Sequence, residues 1–93
     1  MLSQTPFDLK NIKKEDVVKE ILRVGIIAEL DAINLYEQLA AATAQEDVKK
    51  VFQDIVKEEK THVGEFQTML LREDKEQVVE LEDGKKEVSE LLH

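Results

Sequence analysis

Between Val48 and Met69 the polarity pattern returns at alternating steps of four and three: Val48, Phe52, Ile55, Glu59, His62, Phe66, Met69. That rhythm keeps all seven side chains on one face of a helix. Five of them suit a core. The other two, Glu59 and His62, form a pair able to bind a metal. An earlier stretch repeats the rhythm with Leu22, Ile26, Glu29, Ile33, Tyr36 and Ala40, again with a carboxylate in mid-stripe. A second row, Ile21, Ala28, Leu35, Leu39 and Ala42, flanks it and is expected to make the contact within a hairpin.

The periodicity predicts one helix from about Ile12 to about Ala42 and a second from about Ala44 to about Glu73. Before them, Thr5, Pro6 and Asp8 suit a short N-terminal turn, and Asn11 is placed to cap the first long helix. Gly25 interrupts that helix at a cost of about 1 kcal/mol relative to alanine, and its small size allows another helix to approach closely. Thr43 and Glu46 form a T-x-x-E capping box at the start of the second helix. So short a connection folds the two helices back as an antiparallel hairpin. The charged stretch REDKEQVVELEDGKKEVSELLH follows. With Gly84 as a breaker, it is expected to form a short helix over Gln77–Leu81 and another over Lys86–Leu92. The organisation expected is an N-terminal extension (1–11), a helical hairpin (12–75) and a charged C-terminal segment with a short helix (76–93).

The two interrupted stripes meet at one height. Glu29 lies 14 residues before Thr43, while Glu59 and His62 lie 16 and 19 after it. At about 1.5 Å of rise per residue, the two glutamates differ in height by about 3 Å. A lone hairpin cannot bury two carboxylates, because removing each from water costs several kcal/mol unless it is paired. Two hairpins packed face to face would form a four-helix bundle enclosing two copies of Glu29, Glu59 and His62. Two divalent cations would then neutralise its four carboxylates. One Glu from each of two helices and a Glu-x-x-His from each of the others is the ligand set of di-iron carboxylate bundles. Each chain encodes half of such a site.

Composition agrees with long helices: 37% of residues are charged, 4% are aromatic, and the 93 residues include three Gly and one Pro. A net charge of −8 argues against nucleic acid and against an anionic membrane surface as partners. With no cysteine, thiolate metal sites and disulfides are excluded. No apolar run is long enough to span a bilayer and no signal-peptide pattern opens the chain, so a soluble, intracellular protein is expected.

The stretch IAELDAINLYEQLA (27–40), followed by VKEEKTHVGEFQTML (56–70), resembles the encapsulated ferritins, short ferritin-like proteins associated with encapsulin nanocompartments. The likeness covers roughly residues 17–75 and rests on E-L-[DE]-A-x-x-x-Y (29–36) and E-K-x-H (59–62). It implies an all-α fold, half a ferritin-like bundle per chain, and a ring-shaped decamer with each ferroxidase centre split between subunits. It implies iron, two ions per subunit pair, held by Glu29, Glu59 and His62, with Tyr36 nearby and Asp31 at an iron-attracting position. It also implies location within a shell. Ala28 stands where the family has a second glutamate, and Leu35 replaces the family's tryptophan near Tyr36. No clear shell-docking peptide follows Gly84, so the expectation is either a truncated chain or one part of a longer polypeptide that includes the shell.

Each signal has a plainer reading. An E-x-x-H pair is often a mere ion pair, Tyr36 a core residue with a polar tip, and Glu58 and Glu65 a solvated edge. Three functions therefore follow from the sequence. They are a ferroxidase feeding a mineral store inside an encapsulin shell, a rubrerythrin-like di-iron peroxidase, and a non-catalytic helical oligomerisation module. Oxygen-rich ligation with one imidazole suits iron, and Zn²⁺ or Mn²⁺ as well.

Overall fold

The computed structural model describes residues 11–93. The expectations for Thr5, Pro6 and Asp8 lie outside them. A single 3-10 turn, Lys14–Asp16, leads into α1 (Val17–Ala42), followed by α2 (Glu46–Glu73) and α3 (Lys75–Leu91). No strand occurs among the described residues.

α1 and α2 form the expected antiparallel hairpin. Contacts run in opposite order along the two helices: Arg23 meets Asp74, Gly25 meets Phe66, Glu29 meets His62, and Tyr36 meets Phe52. The apolar side chains buried inside are Ile33 and Ala40 from α1 and Val56 and Leu70 from α2. The flanking row expected to close the hairpin does not do so. Ile21, Ala28, Leu39 and Ala42 are exposed and Leu35 is half-buried. The stripe containing Glu29 turns inward instead, and the flanking row faces outward beside it. Val18, Ile21 and Leu39 on α1, with Val48, Val51 and Met69 on α2, leave a broad apolar surface uncovered.

The helix ends differ from the sequence pattern in three places. α1 begins at Val17, five residues beyond the expected start. Its N-cap is Asp16, not Asn11, and has no side-chain capping bond. The Thr43–Glu46 capping box does not form. α2 begins at Glu46 with Gln45 as N-cap, and Thr43 Oγ1 instead accepts the Gln45 N–H at 3.1 Å. Gly84 breaks nothing: one continuous 17-residue helix replaces the two short ones. No glycine among the described residues has positive φ, and no atom approaches the Cβ position of Gly84 within 4 Å. The strong helix formers on either side carry the helix through.

The real break is Asp74. Its backbone leaves the helical region (φ −130°, ψ 90°), and its carboxylate serves two elements at once. Oδ1 accepts the Gln77 N–H at 3.0 Å, capping α3, and Oδ2 accepts from Arg23 of α1 at 2.9 Å. The side chain is buried. Beyond Gln77 every residue of α3 is exposed, so the helix leaves the hairpin rather than packing on it. The molecule measures 46 × 44 × 20 Å with a radius of gyration of 16.6 Å. A compact domain of this length would have about 12 Å.

The Gln77 N–H, with help from Arg23 and Lys19, holds the Asp74 carboxyl below its ordinary value of 3.8, against the opposing effect of burial. The lowered folded-state value means that the ionised cap stabilises the fold at pH above 3.8. That stabilisation is lost as pH falls below 3.8 through the folded value. Asp74→Ala is expected to reduce far-ultraviolet helicity by part of the α3 signal at neutral pH and to abolish the acid-dependent loss of that signal. Circular dichroism from pH 7 to pH 2 checks both.

Candidate metal centre

Glu29 sits mid-way along α1 and Glu59 and His62 one turn apart on α2, so the hairpin register alone decides whether they meet. They do. One ligand atom from each lies within 4.8 Å of the other two. His62 Nδ1 is 3.4 Å from Glu29 Oε2 and 3.5 Å from Glu59 Oε2. The glutamate side chains are 18% and 19% exposed and that of His62 is 44% exposed, so the imidazole stands at the mouth, on the uncovered apolar face.

These distances suit a cation better than a proton. A single N–H on Nδ1 cannot point well at two carboxylate oxygens, and both separations are long for charge-assisted hydrogen bonds. Ligands held at about 2.1 Å by one ion stand about 3.0–3.5 Å apart in octahedral or tetrahedral arrangements, and the two separations from His62 fall in that range. The plainer reading, a Glu59–His62 ion pair, uses the same atoms, but the imidazole is shared with Glu29 from the other helix. Both carboxylates face His62, while Lys60 lies 4.0 Å from Glu37 on the hairpin's flank.

Tyr36 lies seven residues beyond Glu29, on the same side of α1 and about 10 Å along the axis. Its ring meets Phe52 at 5.9 Å, tilted by 32°. It is close to the centre without being part of the gathered set. Asp31 projects about 200° round α1 from Glu29 and is not among the three residues brought together. Glu58 and Glu65 are exposed. The sequence reading overlooked Asp74. The signal was present, since Asp74 and Gln77 stand in the D-x-x-Q spacing of a helix cap.

The sequence profile of the rubrerythrin family matches residues 20–91, nearly all of α1 to α3. The chain belongs to the rubrerythrin family of ferritin-like proteins. Within it, the likeness is to the encapsulated ferritins. The crystal structure of an encapsulated ferritin domain from Pyrococcus furiosus superposes with a TM-score of 0.83 at 48% identity, covering 98% of this chain and 93% of that one. A ferritin-like–encapsulin shell fusion protein of the same organism is 53% identical over 98% of this chain. An encapsulin nanocompartment cargo protein, EncC, from Myxococcus xanthus is 40% identical over 68% of it. The chain spans 27% and 48% of the lengths of these two relatives. No helix among the described residues of this ferritin-like chain is long and apolar enough to cross a membrane.

Losing even an outer-shell partner costs a metal site about 10–100-fold in affinity. Glu59→Gln or His62→Ala is therefore expected to weaken divalent-cation binding by at least about tenfold, with the helix content unchanged. Asp31→Asn should leave affinity within about threefold of the parent. Titration calorimetry with Mn²⁺ on the four proteins checks the assignment.

Proposed function

We propose that the chain is half of a ferroxidase: two copies meet through the uncovered face and enclose two Fe(II) ions as substrate between paired sets of Glu29, Glu59 and His62. The observation that carries this reading is the half-open centre itself. One oxygen of Glu29 and one of Glu59 stand 3.4 and 3.5 Å from His62 Nδ1, beside exposed Val18, Ile21, Leu39, Val48, Val51 and Met69. A second copy laid on that surface would cover the apolar side chains and bring a second ligand set opposite the first, making a four-helix bundle. The family match and the relatives' printed descriptions support an iron-handling role in an encapsulin setting.

The chemistry asked of the residues is modest. Four carboxylates balance two ferrous ions, so the loaded pair is neutral and tolerates burial. Each of the two irons gives one electron to dioxygen, which takes two protons from water and leaves as hydrogen peroxide. The two ferric ions then carry two positive charges more than the four carboxylates balance, which favours their departure to mineral. Glu59 would bridge the two irons, His62 would terminate each, and Glu29 would complete the ligand set. Tyr36 would stand about two turns along α1 from the centre, and Asp31, on the far side of α1, would draw iron toward the protein rather than hold it at the centre. Residues 12–75 would be the catalytic unit, with 76–93 an appended segment. Dimers arranged in a ring, a decamer in the family resemblance, cannot enclose mineral, so a store would require the encapsulin shell as partner and a cytoplasmic nanocompartment as location.

The rubrerythrin family match favours one alternative, a peroxidase built on the same ligands.

Anaerobic loading with Fe(II) followed by native mass spectrometry is expected to find one iron per chain, and only in even-numbered assemblies. Metal held equally by monomers would count against the shared centre. Stopped-flow oxidation should be faster with dioxygen than with equimolar peroxide, and the reverse order would favour the peroxidase. Replacing Glu29, Glu59 and His62 together by leucine should abolish oxidation while keeping assembly. A parent protein that assembles but oxidises no iron would instead be a non-catalytic oligomerisation module.

A further inference from the structure

Of the three glycines, only Gly25 has a neighbour where its side chain would be. A Cβ there would stand 3.3 Å from Cδ2 and Cε2 of Phe66 and 3.5 Å from its Cγ, whereas nothing lies within 4 Å at Gly64 or Gly84. Gly25 is one turn before Glu29 on α1, and Phe66 is one turn after His62 on α2. The ring therefore rests on the α1 backbone in the layer next to the Glu29–His62 approach of 3.4 Å. Ile33 and Val56 pack the hairpin on the other side of that approach, and both are buried.

We propose that Gly25 and Phe66 are positioning residues for the metal centre: the ring seated on the glycine sets the separation of α1 and α2 at which Glu29, Glu59 and His62 converge. The inference rests on the metal-binding reading of those three residues. Carbon atoms in comfortable contact are about 3.5–4.0 Å apart. A methyl at 3.3 Å would displace the ring, or the helix carrying it, by a few tenths of an ångström. Metal–ligand distances tolerate only about 0.2 Å. A displacement too small to threaten the fold is thus large enough to spoil the centre. The same contact gives a poor helix former a use inside the 26-residue α1, where alanine would otherwise favour the helix more.

The test is a cobalt(II) titration, followed by the visible spectrum of the bound ion, on the parent protein, Gly25→Ala, Phe66→Leu and the double variant. Thermal melts are run alongside. Gly25→Ala is expected to melt no lower than the parent, because alanine favours the helix, yet to bind cobalt about tenfold more weakly. Phe66→Leu should also weaken binding. The double variant should bind more tightly than Gly25→Ala, since the added methyl then meets a smaller neighbour. Parent-like affinity in Gly25→Ala, or a double variant no better than that single, overturns the proposal. If Gly25→Ala does not fold, unchanged affinity in Phe66→Leu overturns it. A parent that binds cobalt no better than its Glu59→Gln variant overturns the metal-binding reading and this inference together. A parent that binds through Glu59 while Gly25→Ala matches it removes this inference alone.

Discussion

A hairpin that buries only four apolar side chains also carries two carboxylates on its inner edge, and that imbalance governs the molecule. Carboxylates drawn out of water need partners, and among the described residues both glutamates meet the same imidazole. The deficit and the exposed apolar surface lie side by side. Whatever covers Val18, Ile21, Leu39, Val48, Val51 and Met69 also closes the mouth where His62 stands. The packing of the hairpin and the setting of the three gathered side chains therefore draw on the same surface.

The parts of the fold that were legible in the sequence are those set by long runs of a single period. The α1 and α2 stripes extend over five or more turns, and a polar residue inside such a stripe stands out. Glu29, Glu59 and His62 could therefore be singled out before any coordinates. What the wheel does not fix is which of two adjacent rows turns inward. The row from Ile21 to Ala42 and the row from Leu22 to Ala40 are close neighbours on α1, and the pairing with α2 decides between them. Helix ends were less legible because they depend on single bonds. The Thr43 hydroxyl had two local donors within reach and took Gln45. Gly84 is a weak helix former, but one residue does not outweigh the sixteen around it in an element that nothing forces to bend.

The centre sits between two aromatic layers that differ in kind. At one end Phe66 lies against bare backbone at Gly25, where fit is measured in tenths of an ångström. At the other, Tyr36 and Phe52 meet as two tilted rings, a contact that tolerates adjustment. The contact on the side toward the α3 junction is therefore stricter than the one on the side toward the turn at Thr43.

The direction taken by α3 has a consequence for how the chain holds together. Past Gln77 this helix touches too little to share in the cooperativity of the hairpin. A 17-residue helix in water stands only a little above the length at which isolated helices become marginal, and it carries a glycine at its middle. Its order rests on local propensity and on one carboxylate at its root. The outer helix is therefore expected to exchange its amide hydrogens and open to proteases before the hairpin does.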